Sequence, residues 1–462
     1  MVRLPDEQLQ LQIDGAATAI VSRNRTLTHR ELWDHASSIA ETRIKHGSLS
    51  PGQYDAFVAS NSLSDFWFLL GPLLSGAVPC PLSSRWSALQ IEAAKLRLAA
   101  ANRDHDCAYA SAARQNGNEI VFSAQQPVAV VHTSGSSGVP KAAVLSAQSM
   151  ISGATLSSQC LRFDRGDKWL LSLPLYHVGG LSILYRCMVR GAAMILPDEN
   201  ESLLDAIRNH APTHVSLVAT QLYRFMEDEK AVAALAGCKA VVMGGGPTPT
   251  SLIREARARG ISLATSYGLT ETAAMICSTR PNDDVDYLLS SGKPLADGTV
   301  SIARDEEILV RGDRLFLGYL QTDGSLQRSL TEDGWFRTGD LGRFDKHGYL
   351  HIIGRRDCMF ISGGENIHPE EIETALRNLD GVEDAIVIGV EDREWGRRPV
   401  AYVRMSEGHV LNSAAFETSL RTALPGYKIP RTIHPWPMDL AQPGLKPARK
   451  DFEKRARDLA KD

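Results

Sequence analysis

The clearest chemical signal in this chain is a loop of small, hydroxyl-bearing residues between two apolar segments. Glycines let the backbone approach a bound group, hydroxyls and backbone amides donate hydrogen bonds, and a lysine adds positive charge, so such a loop can bind phosphate. It is not a Walker A loop, in which the lysine directly follows a glycine. A flexible linker is the alternative, but linkers do not carry an apolar strand on each side. The loop residues are Thr133, Ser134, Gly135, Ser136, Ser137, Gly138 and Lys141.

A second group combines an aromatic ring, glycines and an acidic residue. The ring can stack on a purine, the glycines admit its edge to the backbone, and the acid can hold Mg²⁺ that bridges phosphate oxygens. Each segment alone is weak evidence, because a glycine run after a strand is usually a turn. The residues are Ser266, Tyr267, Gly268, Thr270 and Glu271, with the earlier turn Gly244, Gly245, Gly246 and Pro247.

A third candidate pair is Asp340, in the sequence Arg-Thr-Gly-Asp, and Arg355, which follows a predicted strand. The carboxylate can accept hydrogen bonds from two ribose hydroxyls, and the guanidinium can donate to the same sugar. Taken in isolation, a purely structural Asp–Arg pair explains these two residues equally well.

Length and composition indicate a globular protein with more than one domain. The chain has 462 residues, 43% of them hydrophobic and 23% charged, which is too long for one ordinary core. The net charge of -4 gives no basic field for nucleic acid. The seven cysteines are scattered, without a C-x-x-C pair, and no apolar stretch of about 20 residues is present. We therefore expect a cytoplasmic location, no membrane insertion and no cysteine-bound metal.

Short apolar runs that alternate with helical patterns predict βαβ units and a mostly parallel sheet. Thr28 and Glu31 form a predicted capping box at the start of a helix. After the Gly-Arg-Arg-Asp stretch that ends at Asp357, short strands mix with helices, which favours a small α+β domain. The predicted domains are residues 1–355 and 356–462.

In this order and near these spacings, the segments resemble the motifs of the acyl-adenylate-forming superfamily, which contains acyl-CoA synthetases, firefly luciferase and nonribosomal-peptide adenylation domains. The resemblance covers essentially the whole chain, with one departure at Ala142, where many members have glycine. It implies an α/β fold. A large N-terminal domain would have mostly parallel sheets flanked by helices and a small β-barrel-like part. A small, mobile α+β domain would follow it.

The resemblance further implies an enzyme that uses ATP, Mg²⁺ and coenzyme A. A carboxylate attacks the α-phosphate of ATP and releases pyrophosphate, and the CoA thiol then attacks the acyl-adenylate, because AMP leaves more easily than oxide. Lys446 matches the lysine that bridges carboxylate and phosphate as negative charge develops. Glu271 matches the magnesium ligand, and Lys141 matches the lysine that ends the phosphate loop.

Other matches concern the second step. Asp357 matches the hinge about which the small domain rotates, and His177 matches an aromatic gate between the thiol tunnel and the acyl pocket. The residues that would line the tunnel or contact CoA phosphates are Gly363, Gly364, Trp395, Lys428 and Arg431.

Arg186 carries the information about the acid, because it lies in the apolar segment Trp169–Cys187. A cation in such a run needs an anion, either a substrate or an internal ion pair. This segment, the segment Thr213–Arg224 and the short chain resemble the o-succinylbenzoate–CoA ligase family of menaquinone biosynthesis, whose substrate is an aromatic dicarboxylate. Arg186 would meet the carboxylate that is not activated. The same pocket would be lined by Ser216, Thr220 and Gln221.

Three other functions stay open from the sequence. A 4-chlorobenzoate- or benzoate-type CoA ligase shares several of these motifs, and a pocket without a buried cation would favour it. A non-catalytic nucleotide-binding protein on the same fold would not need Lys141, Glu271, Asp340, Arg355 and Lys446 together. A carrier-protein adenylation module would be followed by a serine-centred phosphopantetheine site. The expected partners are an aromatic carboxylic acid, ATP and CoA, without nucleic acid or membrane, and a homo-oligomer is left open.

Overall fold

The computed structural model describes residues 8–23, 25–103, 112–116, 118–133, 140–440 and 449–459. The helices in these ranges are α1 (His29–Lys45), α2 (Leu63–Ser75), α3 (Ala88–Arg103), α4 (Ala147–Leu161), α5 (Val178–Arg190), α6 (Leu203–His210), α7 (Ala219–Met226), α8 (Glu229–Ala236), α9 (Thr250–Ala258), α10 (Val285–Leu288), α11 (Pro369–Arg377), α12 (Ser413–Ala423) and α13 (Arg449–Leu459).

The strands in the same ranges are β1 (Gln8–Gln12), β2 (Thr18–Val21), β3 (Thr26–Thr28), β4 (Tyr54–Ala59), β5 (Val78–Ser83), β6 (Arg114–Asn116), β7 (Glu119–Ser123), β8 (Pro127–Thr133), β9 (Lys141–Ser146), β10 (Lys168–Leu170), β11 (Ala193–Ile195), β12 (His214–Leu217), β13 (Ala240–Met243), β14 (Leu263–Leu269), β15 (Ala274–Ser278), β16 (Lys293–Pro294), β17 (Val300–Ile302), β18 (Glu307–Val310), β19 (Gly318–Leu320), β20 (Leu326–Gln327), β21 (Phe336–Phe344), β22 (Leu350–Arg355), β23 (Phe360–Ser362), β24 (Glu365–Ile367), β25 (Val382–Asp392), β26 (Gly396–Met405) and β27 (Ile433–Pro435).

A nine-stranded sheet forms the centre of the larger part of the molecule, in the order β16-β15-β14-β13-β12-β10-β11-β2-β3. Its middle strands are parallel. Every residue of β12 and β13 is buried, as expected for parallel strands covered by helices on both faces. The predicted α/β class is confirmed. The glycine turn directly follows the carboxyl end of β13, and the Tyr-Gly segment forms the carboxyl end of β14.

The candidate phosphate loop joins the two strands of an antiparallel hairpin. Thr133 at the end of β8 lies opposite Lys141 at the start of β9. β19 pairs with the other edge of β9 and places Tyr319 opposite Ala143. Because side chains two residues apart point to the same face of a strand, Lys141 and Tyr319 share one face of this sheet.

A third sheet, in the order β17-β18-β21-β22, carries the candidate ribose residues. It is a four-stranded antiparallel sheet. Its register sets Asp340 on β21 opposite Arg355 on β22. The two residues therefore meet because the hairpin aligns them, although they are 15 positions apart in the sequence.

After β22 the chain builds a smaller α+β unit around the sheet β25-β26-β27. Pro369 begins α11, where its missing N–H costs no helical hydrogen bond. The two buried apolar clusters of this unit draw all their residues from Phe360 onwards, whereas those of the larger part end at Leu350. The segment around Asp357 thus lies between two separate cores.

Apart from contacts made by residues 355–358, two polar contacts between described residues join the smaller unit to the larger part. The backbone N–H of Thr250, at the start of α9, donates to Asn378 Oδ1 at 2.9 Å. No side chain of its own segment caps α9, because Pro249 precedes it. Arg224 also pairs with Glu383 at 3.5 Å. The smaller unit therefore supplies a hydrogen-bond acceptor that the N-terminus of α9 otherwise lacks.

Two further expectations concern local structure and membrane insertion. Thr28 and Glu31 form the predicted capping box at the start of α1. Among the described residues, no helix combines the length and the apolar character needed to cross a bilayer.

Candidate active site

The two ends of the phosphate loop are described, and the loop itself is not. Ser134, Gly135, Ser136, Ser137 and Gly138 lie outside the described residues. The Lys141 ammonium lies 4.9 Å from the centre of the Tyr319 ring. No carboxylate of the described ranges forms an ion pair with this lysine, so its charge is available to a bound anion.

Glu271 lies in a 3-10 turn, Thr270–Thr272, directly after β14. The Tyr319 hydroxyl donates to Glu271 Oε1 at 2.5 Å, and the Phe316 N–H donates to the Glu271 carbonyl at 2.9 Å. No arginine, lysine or histidine of the described residues pairs with this carboxylate.

The described residues contain no cluster of three or more acidic, histidine or cysteine side chains that could hold a metal. A single carboxylate without a cationic partner among the described residues suits Mg²⁺ bound to ATP, because Mg²⁺ takes most of its ligands from phosphates and water in such sites. The donor set around Glu271 therefore fits the implied metal.

The adenine and ribose candidates are joined by one buried carboxylate. Asp340 Oδ2 accepts a hydrogen bond from the Tyr267 hydroxyl at 2.7 Å, and Oδ1 accepts one from Arg355 Nη1 at 3.0 Å. Arg355 also donates to Asp357 at 3.1 Å. Burial and the neighbouring carboxylate raise the pKa of Tyr267. Although burial opposes it, Asp357 and Asp340 hold the pKa of Arg355 above its usual value.

Two glycines fix the backbone around the candidate adenine site. A Cβ atom on Gly268 would lie 1.7 Å from the Ala274 carbonyl oxygen, at the irregularity where β14 passes β15. Gly245 has a φ of +79°, a conformation that favours glycine. The Ser266 hydroxyl donates to the Met243 carbonyl at 2.9 Å, which fastens β14 beside the 244–247 turn. These glycines are therefore structural requirements as well as candidate binding residues.

Arg186 is buried, with 4% of its surface exposed, and no carboxylate of the described residues pairs with it. Its Nε donates to Ser157 Oγ at 2.8 Å, and its guanidinium lies 4.7 Å from the centre of the Trp169 ring. Burial lowers the pKa of Arg186 to about 10, so the side chain is still charged at neutral pH. The internal ion pair that the sequence left open is not found here.

The other acid-pocket candidates lie next to this arginine or one turn away. Trp169 Nε1 donates to Ser216 Oγ at 3.1 Å, so Ser216 and Arg186 contact the same ring. Thr220 and Gln221 are in the first turn of α7. Gln221 Oε1 accepts the Val218 N–H at 3.0 Å, so this oxygen already caps the helix.

His177 precedes α5 as its N-cap residue. Its ring centre lies 4.7 Å from that of Tyr176. Desolvation by the surrounding protein lowers the pKa of His177, and the positive charge of the nearby Arg85 lowers it further. The imidazole is therefore neutral at pH 7. A neutral, partly open ring at a helix start is compatible with the expected gate.

The candidate tunnel residues form two groups in the smaller unit. Gly363 has a φ of +57°, its N–H donates to the Trp395 carbonyl at 2.9 Å, and a Cβ atom there would lie 2.3 Å from the Trp395 ring. Gly364 is beside it, with a φ of +89° and open space. The expected phosphate contacts are instead paired with acids, Lys428 with Glu371 at 2.6 Å and Arg431 with Asp392 at 3.2 Å.

The structure adds one residue that the sequence did not indicate, whereas the expected catalytic residue Lys446 lies outside the described residues. Tyr319 was not predicted from the sequence, yet it contacts both Lys141 and Glu271. Only its position on the strand next to Lys141 could have suggested it, and strand pairing is not visible in the sequence.

Comparison with known proteins places this geometry in a family. The AMP-binding enzyme model matches residues 93–320, and the model of the AMP-binding enzyme C-terminal domain matches residues 371–441. The 2-succinylbenzoate–CoA ligase of Bacillus velezensis is 32% identical over 448 residues, which cover 91% of each chain. The chain belongs to the AMP-binding enzyme family.

Within that family, the similar solved structures include o-succinylbenzoate CoA synthetase (MenE) from Bacillus subtilis. In complex with the acyl-adenylate intermediate OSB-AMP, that enzyme has a TM-score of 0.80 and 27% identity, with 95% of each chain covered. In complex with ATP and a magnesium ion, it has a TM-score of 0.77 and 26% identity, covering 91% of this chain and 93% of that one.

Gly268, which has no room for a side chain, and Gly246, which has open space around it, should respond differently to substitution. We expect Gly268→Ala to lower the melting temperature, because its methyl group would meet the Ala274 carbonyl. Gly246→Ala should leave the melting temperature unchanged, because nothing lies within 4 Å of its added carbon, and should weaken ATP binding if the backbone approaches the nucleotide there. Thermal unfolding and calorimetric titration with ATP measure the two effects. A stable Gly268→Ala protein would contradict the close approach.

Proposed function

We propose that this chain is an ATP-dependent ligase that converts o-succinylbenzoate to o-succinylbenzoyl-CoA through an acyl-adenylate, with release of pyrophosphate and AMP, in menaquinone biosynthesis. The observation that carries the choice of acid is Arg186, a buried guanidinium without a carboxylate partner among the described residues. A buried cation is costly unless an anion meets it. A substrate with a second carboxylate supplies that anion, whereas a simple benzoate does not.

The nucleotide is proposed to bind across the loop, turn and hairpin described above. Hydroxyls and amides between Thr133 and Lys141 would hold the phosphates, and the Tyr267 ring would lie against the adenine. Asp340, which accepts a hydrogen bond from Arg355, would also accept hydrogen bonds from the ribose hydroxyls. Mg²⁺, held by Glu271 and phosphate oxygens, would supply positive charge that offsets the charge of the triphosphate.

The acid is proposed to bind with its two carboxylates at opposite ends of the pocket. Arg186 would bind the distal carboxylate, with Ser216 next to the same tryptophan ring. The other carboxylate would then face the α-phosphate, where positioning alone lowers the barrier substantially. Lys446 would neutralise the charge that develops as the new P–O bond forms. This order explains why only one of the two carboxylates reacts.

For the thiol step, the smaller unit would rotate about Asp357 and present a tunnel beside Gly363 and Trp395. This proposal sets the domain boundary between residues 355 and 356. The ion pairs of Lys428 and Arg431 with acidic residues would have to open or rearrange before either cation contacts a CoA phosphate. His177 would separate the tunnel from the acyl pocket without acting as a base.

We further propose that the enzyme works in the cytoplasm, with an aromatic carboxylic acid, ATP and CoA as partners and no nucleic acid. The net charge of -4 supports the last point, since nucleic-acid binding depends on clustered positive charge.

The function is tested by incubating the protein with ATP, Mg²⁺, CoA and candidate acids. We expect pyrophosphate and acyl-CoA with o-succinylbenzoate and little of either with benzoate or 4-chlorobenzoate. Turnover of halobenzoates without turnover of o-succinylbenzoate would reverse the assignment.

Arg186→Ala should raise the KM for o-succinylbenzoate by about tenfold to a hundredfold, because a charged hydrogen-bonding partner of one carboxylate is lost. The KM for ATP should stay near the wild-type value. Steady-state kinetics on folded protein measure both constants, and Arg208→Ala, an exposed arginine on α6, is the control. An unchanged KM for the dicarboxylate would refute the role of Arg186.

Lys446→Ala should block adenylate formation by several hundredfold and leave thioesterification largely intact, because only the first step needs a cation at the attacked phosphate. Pyrophosphate release reports the first step, and conversion of supplied o-succinylbenzoyl-AMP with CoA reports the second. Lys450→Ala, an exposed lysine in α13, should affect neither step. Equal loss of both steps in the Lys446 variant would contradict the assigned role.

A further inference from the structure

Tyr319 lies between the two charged residues that the proposed function assigns to the triphosphate. Its hydroxyl donates to Glu271 Oε1 at 2.5 Å, and its ring face receives the Lys141 ammonium at 4.9 Å. The strand pairing of β19 with β9 fixes this arrangement. One side chain therefore touches both the candidate metal ligand and the candidate phosphate ligand.

The surroundings of Tyr319 hold its ring in place. The Phe316 ring packs edge-on against the Tyr319 ring, with the ring centres 4.8 Å apart. The Phe316 N–H also donates a hydrogen bond to the backbone carbonyl of Glu271. Gly318 precedes it with a φ of +152°, and a Cβ atom there would lie 3.0 Å from the Gln327 carbonyl oxygen. The tyrosine therefore has little freedom to move away from Glu271.

The arrangement also keeps two opposite charges apart. Lys141 and Glu271 both contact Tyr319, yet they do not form an ion pair with each other. A direct ion pair would satisfy both charges within the protein and would have to break before ATP and its metal could bind. The hydroxyl instead uses one carboxylate oxygen and leaves the other for a cation, while the ring attracts the ammonium without neutralising it.

We propose that Tyr319 is a positioning residue that orients Glu271 toward Mg²⁺ and holds Lys141 toward the phosphates. The inference rests on the proposed function, because it assigns no new ligand to the site. It adds a residue whose hydroxyl orients the proposed metal ligand, Glu271, and whose ring holds the Lys141 ammonium. Mutation can separate these two effects.

Tyr319→Phe removes only the hydroxyl. We expect the Kd of Mn²⁺, used as a spectroscopic substitute for Mg²⁺ in the presence of ATP, to rise about threefold to tenfold, since one hydrogen bond to a charged group is lost. The Kd of metal-free ATP, measured by calorimetry with a chelator, should not change. Paramagnetic resonance of free Mn²⁺ gives the metal affinity without reference to turnover.

Tyr319→Leu removes the ring as well. In this variant the Kd of metal-free ATP should also rise, by about twofold to fivefold, because Lys141 loses its aromatic partner. The control is Tyr349→Phe, because Tyr349 likewise lies under a lysine, Lys293 at 4.7 Å, and donates to an acid, Asp283 at 3.5 Å, away from these residues. Circular dichroism establishes that each variant is folded.

An unchanged Mn²⁺ affinity in Tyr319→Phe would overturn the role of the hydroxyl. An unchanged ATP affinity in a folded Tyr319→Leu protein would overturn the role of the ring. Failure of the wild-type protein to bind ATP at all would instead overturn the proposed function, so the two failures are distinguishable.

Discussion

The structure of the proposed nucleotide site depends on the buried carboxylate of Asp340. It accepts one hydrogen bond from Tyr267, at the end of the central sheet, and one from Arg355, on the last strand before the smaller unit. Arg355 reaches on to Asp357. A single acidic side chain therefore links the residues proposed for adenine, ribose and the hinge: Tyr267, Arg355 and, through Arg355, Asp357. Removing it would leave a partly buried hydroxyl and a partly buried guanidinium with fewer partners.

The charged residues of the proposed site divide into two groups by their pairing. Arg186, Glu271 and Lys141 have no oppositely charged partner among the residues described, and the proposed function assigns each of them to a charged ligand. Lys428 and Arg431 already have acidic partners. The unpaired residues could bind charged ligands without first breaking an ion pair. The paired residues, Lys428 and Arg431, would become available only after their ion pairs open, as the proposed change in domain orientation requires.

Much of this arrangement was predictable from the sequence because it depends on local patterns. The alternation of apolar runs gave the α/β class, the capping box at Thr28 is contained within four residues, and the order of the motifs gave the family. Tyr319 was missed because its partners, Lys141 and Glu271, are 178 and 48 positions away. The lack of an acidic partner for Arg186 was equally invisible, since the sequence allowed an internal pair. Long-range strand pairing and burial decide such contacts, and neither is encoded in a short motif.

The contacts of Asn378 and Glu383 with the larger part bear on how easily the smaller unit could change its orientation relative to that part. One is a single hydrogen bond to a helix N-terminus, and the other is a long, exposed ion pair. Contacts of these two kinds contribute on the order of 1 kcal/mol each. In the proposed rotation, breaking them would cost little compared with disrupting either core, and the pairs of Arg356 with Asp305 and Glu307 lie at the proposed hinge itself. Added salt would loosen the ion pair of Glu383 and leave the helix cap almost unaffected.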